Sequence, residues 1–182
     1  MAEETDREAS TYNCYPDVGE WYLIYRNYYE DADFGGTAKC VKYSRYGSYE
    51  NFSTPAVFTF GEDGYLTGKL TMSSTDCYFA KNKKTFVPDN NDGPDESFHV
   101  IYIECATCFV ARHPYAGDGQ GCSFWRRSDS LHESAHCCEF IYDQNCGASP
   151  KYKMYNPTCT WRTPTIKPVA VEGLFALSRD LA

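Results

Sequence analysis

Between Cys105 and Cys146 the chain carries six of its ten cysteines. The count is even and the spacing irregular, which points to a disulfide framework and an oxidising compartment. The stretch itself reads as a strand over 108–112, a glycine-rich turn over 115–121, and a strand over 122–127. A polar link and a helix follow. Ser130 with Glu133 three residues later is a capping-box pattern. Leu131, Ala135, Cys138 and Ile141 then share one helix face, and Gly147 suits the C-terminal end.

The residues before this stretch repeat its strand–turn–strand grammar. A first strand opens at 19–25 and runs on through Tyr29. The acidic link 30–33 and the pair Gly35-Gly36 turn the chain into a second strand over 39–43. Segments 55–60 and 65–72 pair across Glu62-Asp63-Gly64, a strong hairpin signal. Segments 77–87 and 97–105 pair across a turn rich in Asn, Asp, Gly and Pro. Sixteen tyrosines and eleven phenylalanines favour strands and aromatic-lined surfaces. With 108–112 and 122–127 the total is eight strands in up-and-down order. The expected fold is all-β: an eight-stranded antiparallel barrel, with the helix packed outside because such a barrel is only wide enough for side chains or one small ligand.

Hairpin geometry places Cys77 opposite Cys105, so that pair is expected to bond. A helix from Leu131 to Cys146 rises roughly 22 Å at 1.5 Å per residue, about the height of a strand of six or seven residues. That returns Cys146 to the level of Cys122, a second expected pair. Cys108 should meet the helix start, at Cys137 or Cys138. Cys108 and Cys122 then face outward, so by period-two alternation Phe109, Ala111, Ser123 and Trp125 face inward. Zinc is the rival reading, since Cys105-x-x-Cys108 has ligand spacing and Cys122, His113 and His136 are near. A strong zinc signal needs two such pairs, and only one is present. A redox CxxC would precede a helix, whereas this one links two strands.

The net charge of −8 argues against a nucleic-acid binder, which needs a basic face. No run is apolar and long enough to span a membrane. The opening MAEETDREAS lacks the apolar core of a secretory leader. The expectation is a mature form with its leader removed, or one given an initiating Met. No nucleophile elbow, HExxH, P-loop or GxGxxG is present, and no paired carboxylates suggest acid–base work. The reading is therefore no enzyme and no cofactor or metal. His113, His132 and His136 read as exposed or packed residues; His99, mid-strand, is a barrel histidine or a ligand partner. Asn51-Phe52-Ser53 is a glycosylation sequon in a loop.

Gly19-x-Trp21-Tyr22 on the first strand, eight strands and one late helix resemble lipocalins. Cys40, Cys108, Trp125, the pair Cys137-Cys138 and a late Cys159 are similar to the layout of the tick salivary lipocalins, the histamine-binding protein family. The resemblance covers about Cys14 to Cys159. It frames 1–13 as a flexible N-terminus, 14–162 as the lipocalin domain and 163–182 as a tail of unassigned role. It implies Cys14–Cys137, Cys40–Cys159 and Cys108–Cys138, to which geometry adds Cys77–Cys105 and Cys122–Cys146.

The family implies a secreted, monomeric protein of tick saliva that sequesters a host mediator. Its amine binders resemble a pattern of Cys-Asp-aliphatic, then Glu-Leu-Trp, then Cys. Here those positions read Cys108-Phe109-Val110 and Ser123-Phe124-Trp125, and a third family acid matches His99. The tryptophan stays and the carboxylates are gone. An ammonium taken from water without opposite charge costs several kcal/mol. A lipid-like ligand (eicosanoid, fatty acid or sterol) is therefore favoured over histamine or serotonin. It would lie among Trp21, Ile101, Phe109 and Trp125, oriented by His99, Ser123 and tyrosine hydroxyls. An amine would need the aromatic set Tyr25, Tyr29 and Trp125, with a carboxylate supplied by Asp31 or Asp33 at the barrel mouth. Alternatively Trp21, Ile101, Phe109 and Trp125 simply fill the barrel, and the outer loops inhibit a host serum protein, for example of complement.

Overall fold

The structure, a computed structural model, describes residues 19–89 and 92–161. Its strands are β1 (Glu20–Arg26), β2 (Lys42–Arg45), β3 (Ser53–Phe60), β4 (Gly64–Ser73), β5 (Lys83–Pro88), β6 (Glu96–Glu104), β7 (Cys108–His113) and β8 (Gly121–Arg127). One helix, α1 (His136–Cys146), and a two-residue strand, β9 (Tyr152–Lys153), follow. Each of β1–β8 pairs antiparallel with the next, and β1 pairs with both β8 and β2. That closes the expected eight-stranded barrel, and β9 adds to its outside along β1. The end where β1 begins is the floor; the end where β1 finishes, beside the β1–β2 loop, is the mouth.

Two apolar layers follow from strand alternation. The interior holds Trp21, Leu23, Phe58, Leu70, Phe86, Phe98, Phe109, Ala111 and Trp125. The outer layer seats α1 on Cys108, Val110, Cys122 and Phe124, through Cys138 and Tyr142. The inward set Phe109, Ala111, Ser123 and Trp125 is found as expected. Alternation fails at two bulges. A register shift between Leu23 and Tyr25 sends Tyr25 to the outer layer against Tyr142, and Arg26 enters the barrel instead. Ile101 faces outward with His99 because both alternate with the inward Phe98, and a shift between Val100 and Tyr102 turns Tyr102 outward beside it and Ile103 inward.

The helix is shorter than expected. Ser130 closes a 3-10 turn (Ser128–Ser130), and its hydroxyl donates to the Thr107 and Arg127 carbonyls rather than capping α1. The Arg126 guanidinium also ties down the Ser130 and Glu133 carbonyls, so this segment is held as a turn against the floor.

Cys40–Cys159, Cys108–Cys138 and Cys122–Cys146 are bonded as expected. Two expected pairs are corrected: Cys77 and Cys137 are free and exposed. Cys77 misses Cys105 because β5 begins only at Lys83; residues 74–82 form a loop tied by Asn82 to Thr75. Cys137 is left free because successive helix residues point about 100° apart, and the neighbour that faces the barrel is Cys138, bonded to Cys108. Cys105 is disulfide-bonded, with its partner outside the described residues. Cys14 and the segments 1–13 and 163–182 also lie outside them. With Cys105, Cys108 and Cys122 all in disulfides, the zinc reading has lost its ligands. A maleimide applied to the native protein should label Cys77 and Cys137 alone among the described cysteines, with adducts placed by peptide mass mapping. Protection of both would contradict this assignment.

Candidate barrel site

The β1–β2 loop builds the mouth. Asp31 and Gly36 exchange backbone hydrogen bonds of 3.1 and 2.6 Å, which folds 31–36 into a tight loop. Gly35 lies at φ +87°, and a Cβ there would meet the Phe60 ring at 2.5 Å; only glycine fits. The loop tip drives Phe34 into the barrel, where its ring packs on Phe58 (4.6 Å), Phe86 (5.8 Å) and Tyr115 (6.2 Å). Phe34 is a stopper. The cavity left beneath it has a volume of only about 10 Å³, room for about one water.

A line of polar side chains crosses this cavity. Trp125 Nε1 donates to Ser123 Oγ (2.7 Å). An indole N–H can only donate, so the Ser123 hydroxyl hydrogen is left for His113 Nε2, 2.6 Å away. His113 then carries its proton on Nδ1 and donates it to Tyr115 Oη (3.1 Å). Tyr115 in turn donates to Asp31 Oδ2 (3.4 Å), which also accepts from Tyr28 Oη (2.9 Å). Burial, helped by Arg26 and Arg112, pulls the His113 imidazole down to about 3, so it stays neutral and the line keeps its direction. Burial lifts the Asp31 carboxyl above its usual range, against the pull of Tyr28, Arg26 and the Phe34 and Asp33 amides. Arg26, fully buried, donates to the Tyr29 and Gly36 carbonyls (2.8 and 2.6 Å) and lies 3.7 Å from Asp31. It thus clamps both the loop and the acid.

Carboxylates gather at the rim. Glu96, first residue of β6, lies beside Asp33, and its carboxyl rises to about 7 through burial and the neighbouring Asp33, Asp31 and Asp95 charges. On the floor the opposite sign appears. Lys84 is 1% exposed, and its Nζ lies over the rings of Phe109, Tyr43 and Phe98.

Of the residues expected to meet a ligand, Trp21, Phe109, Ser123 and Trp125 face the interior and Asp31 stands under the mouth. Ser123 is already engaged by His113 and Trp125. Tyr25 and Ile101 lie outside the barrel wall. Tyr29 is 66% exposed on the rim beside Tyr152. His99 alternates with the inward Phe98 and stands at the outer surface near Lys83, which with burial lowers its pKa. The rings of Tyr25, Tyr29 and Trp125 therefore do not form one cage. Residues the sequence reading missed are Arg26, Tyr28, Phe34, Lys84, Glu96 and Tyr115; His113 was expected only as an exposed or packed residue.

Residues 14–161 match the family model described as tick histamine binding protein. No curated protein matches in direct sequence comparison. Among solved structures, a serotonin complex of AM182 aligns at TM-score 0.57 and 18% identity, over 79% of this chain and 86% of that one. Apocrustacyanin C2 aligns at TM-score 0.55 and 14% identity over 88% and 86%. Lobster apocrustacyanin A1 aligns at 0.53 and 14% over 83% of each chain. At these identities the structural neighbours establish the fold.

Proposed function

The chain belongs to the tick histamine-binding protein family, and on that premise we propose that it is a secreted binding protein that captures a small cationic mediator of the host at its barrel mouth. The observation that carries this is the rim, where Glu96 lies beside Asp33 and Asp31 and its carboxyl is pushed up to about 7 by burial and by those neighbouring acids. A site that cannot keep its own carboxylates ionised is short of positive charge, and a primary ammonium supplies it with charge-assisted hydrogen bonds. Tyr115 and Phe58 offer aromatic walls once the Phe34 ring withdraws from them. The family's amine ligands and the serotonin held by AM182 support the same class. The acid rim weighs against a fatty acid or eicosanoid, whose carboxylate would have to pass it.

Serotonin titrated by calorimetry tests this. Ammonium binding competes with the proton on Glu96, so affinity should rise as pH passes upward through about 7, with proton release detected by changing the buffer. Glu96→Gln and Asp33→Asn should each weaken binding about tenfold. Serotonin binding that is unchanged in both variants would sink the reading.

The nearly filled interior favours one other reading, a host-protein inhibitor working from the loops. Tyr78 and Phe79 of the 74–82 loop are 53% and 90% exposed, on the same side of the molecule as the free Cys77. A stoichiometric partner recovered from host serum, together with no small-molecule binding, would decide for it. Asn51 is exposed, which agrees with a glycan there.

A further inference from the structure

Arg26 enters the barrel from the end of β1 and is fully buried. Its Nη2 is spent on the Tyr29 and Gly36 carbonyls. Its Nη1 lies 3.7 Å from Asp31 Oδ2, an ion pair too long for a hydrogen bond. Among the described residues neither Nη1 nor Nε has a hydrogen-bond partner. Buried donors without an acceptor are rare and costly, those of a charged group most of all. The guanidinium stands in the wall of the cavity under Phe34, with Tyr28, Asp31, Phe98, His113 and Trp125. The polar groups around it are already engaged. His113 Nε2 takes the Ser123 proton, and Tyr28 and Tyr115 donate to Asp31. What this cavity lacks is an acceptor. Phe34 lines it from above, so withdrawal of that ring joins the cavity to the vacated slot between Phe58 and Tyr115.

We propose that Arg26 is a specificity-determining residue of the mouth site, donating to a hydroxyl carried on the aromatic ring of the captured amine. The inference rests on the rim reading above and extends it from the ammonium to the far end of the ligand. Charge selects the acceptor. A carboxylate fits poorly, because Asp31 already balances the guanidinium and a second anion leaves a net charge buried. A bare ring leaves both donors unmet. A hydroxyl brings an acceptor without a charge. It also brings a proton, and Asp31 can take it. The loop movement that withdraws Phe34 removes the Phe34 amide from Asp31 Oδ1, where it now donates at 3.1 Å, and so frees an acceptor site there. A site built to hydrogen-bond a ligand hydroxyl rejects the analogue that lacks it.

Serotonin and tryptamine differ only in the ring hydroxyl, as do tyramine and 2-phenylethylamine. Calorimetry on the wild-type protein should give serotonin about 10- to 100-fold the affinity of tryptamine, the range for a hydrogen bond from a charged donor. Tyramine should exceed 2-phenylethylamine in the same sense. Equal affinities within both pairs would overturn the inference and leave the rim reading standing, since the ammonium is common to all these probes. No binding of any of them would remove both. Arg26→Lys keeps a cation for Asp31 but has no Nε–H or second terminal nitrogen, so its preference for serotonin over tryptamine should fall below about threefold. The full preference retained in the folded variant would assign the hydroxyl to another group and overturn the proposal. A wild-type measurement covers the case in which the variant does not fold. The Arg26 Nε–H proton resonance should move downfield with saturating serotonin and stay in place with tryptamine. A resonance that responds equally to both would equally overturn the proposal.

Discussion

Asp31→Ala should cost about 3–5 kcal/mol of stability. Asp31 is 4% exposed and Arg26 is fully buried. Removing the carboxylate leaves a buried guanidinium without a counter-charge, which is the costly way to break such a pair. Tyr28 and Tyr115 lose their acceptor at the same time. The Phe34 amide, which donates to Asp31 Oδ1 at 3.1 Å, loses the contact that aims the stopper inward. Denaturant unfolding with the disulfides intact is the measurement. The double variant Arg26→Met, Asp31→Ala should recover much of the loss, because replacing both charges by apolar groups is far cheaper than stranding one. A single variant as stable as the wild type would mean that the pair contributes nothing to holding the loop.

Lys84→Met should act in the opposite direction and raise stability at pH 7 by about 1–4 kcal/mol, since it replaces a buried charge with an apolar side chain of similar length. Three rings offset part of the desolvation, but not all of it: the ammonium falls from its ordinary 10.5 to about 7. The sign of the pH dependence follows. Between about 7 and 10.5 the unfolded chain binds a proton at Lys84 that the folded chain does not hold, so this group's contribution makes stability rise with pH across that window. The slope is at most about 1.4 kcal/mol per unit. Tyr22, raised to about 12 by burial, acts the other way only above its unfolded value near 10. In Lys84→Met the rise between pH 7 and 10 should vanish. The same slope in variant and wild type would place the lysine's titration elsewhere than in the barrel.

The barrel was legible in the sequence because hairpin turns and alternation are local signals. Glu62-Asp63-Gly64 announces β3–β4, and the facing of Cys108 and Cys122 fixes Phe109, Ser123 and Trp125 inward. Cys122–Cys146 could be derived even though α1 is shorter than expected, because only the helix end had to reach the right level. What was not legible has a common cause: single-residue shifts leave no mark in composition. The bulge after Leu23 exchanges Tyr25 for Arg26 in the interior, and the bulge after Val100 exchanges Tyr102 for Ile103 there. The free Cys77 depended on where β5 leaves its ladder, which a loop hydrogen bond from Asn82 decides. Lys84 could have been found, since it alternates with Phe86 on one face; its charge argues for the surface only until the ring cage is seen. The polar line through His113 joins β1, the β1–β2 loop, β7 and β8. No spacing within one segment encodes that meeting.

Serotonin soaked into crystals of the protein should be found at the barrel mouth. The expected result is an ammonium within hydrogen-bond reach of Asp33 and Glu96, with Phe34 withdrawn from its packing on Phe58 and Lys84 unmoved on the floor. A ligand bound elsewhere on the protein, or a stopper still seated with no ligand at the mouth under conditions where binding is saturated, would contradict it.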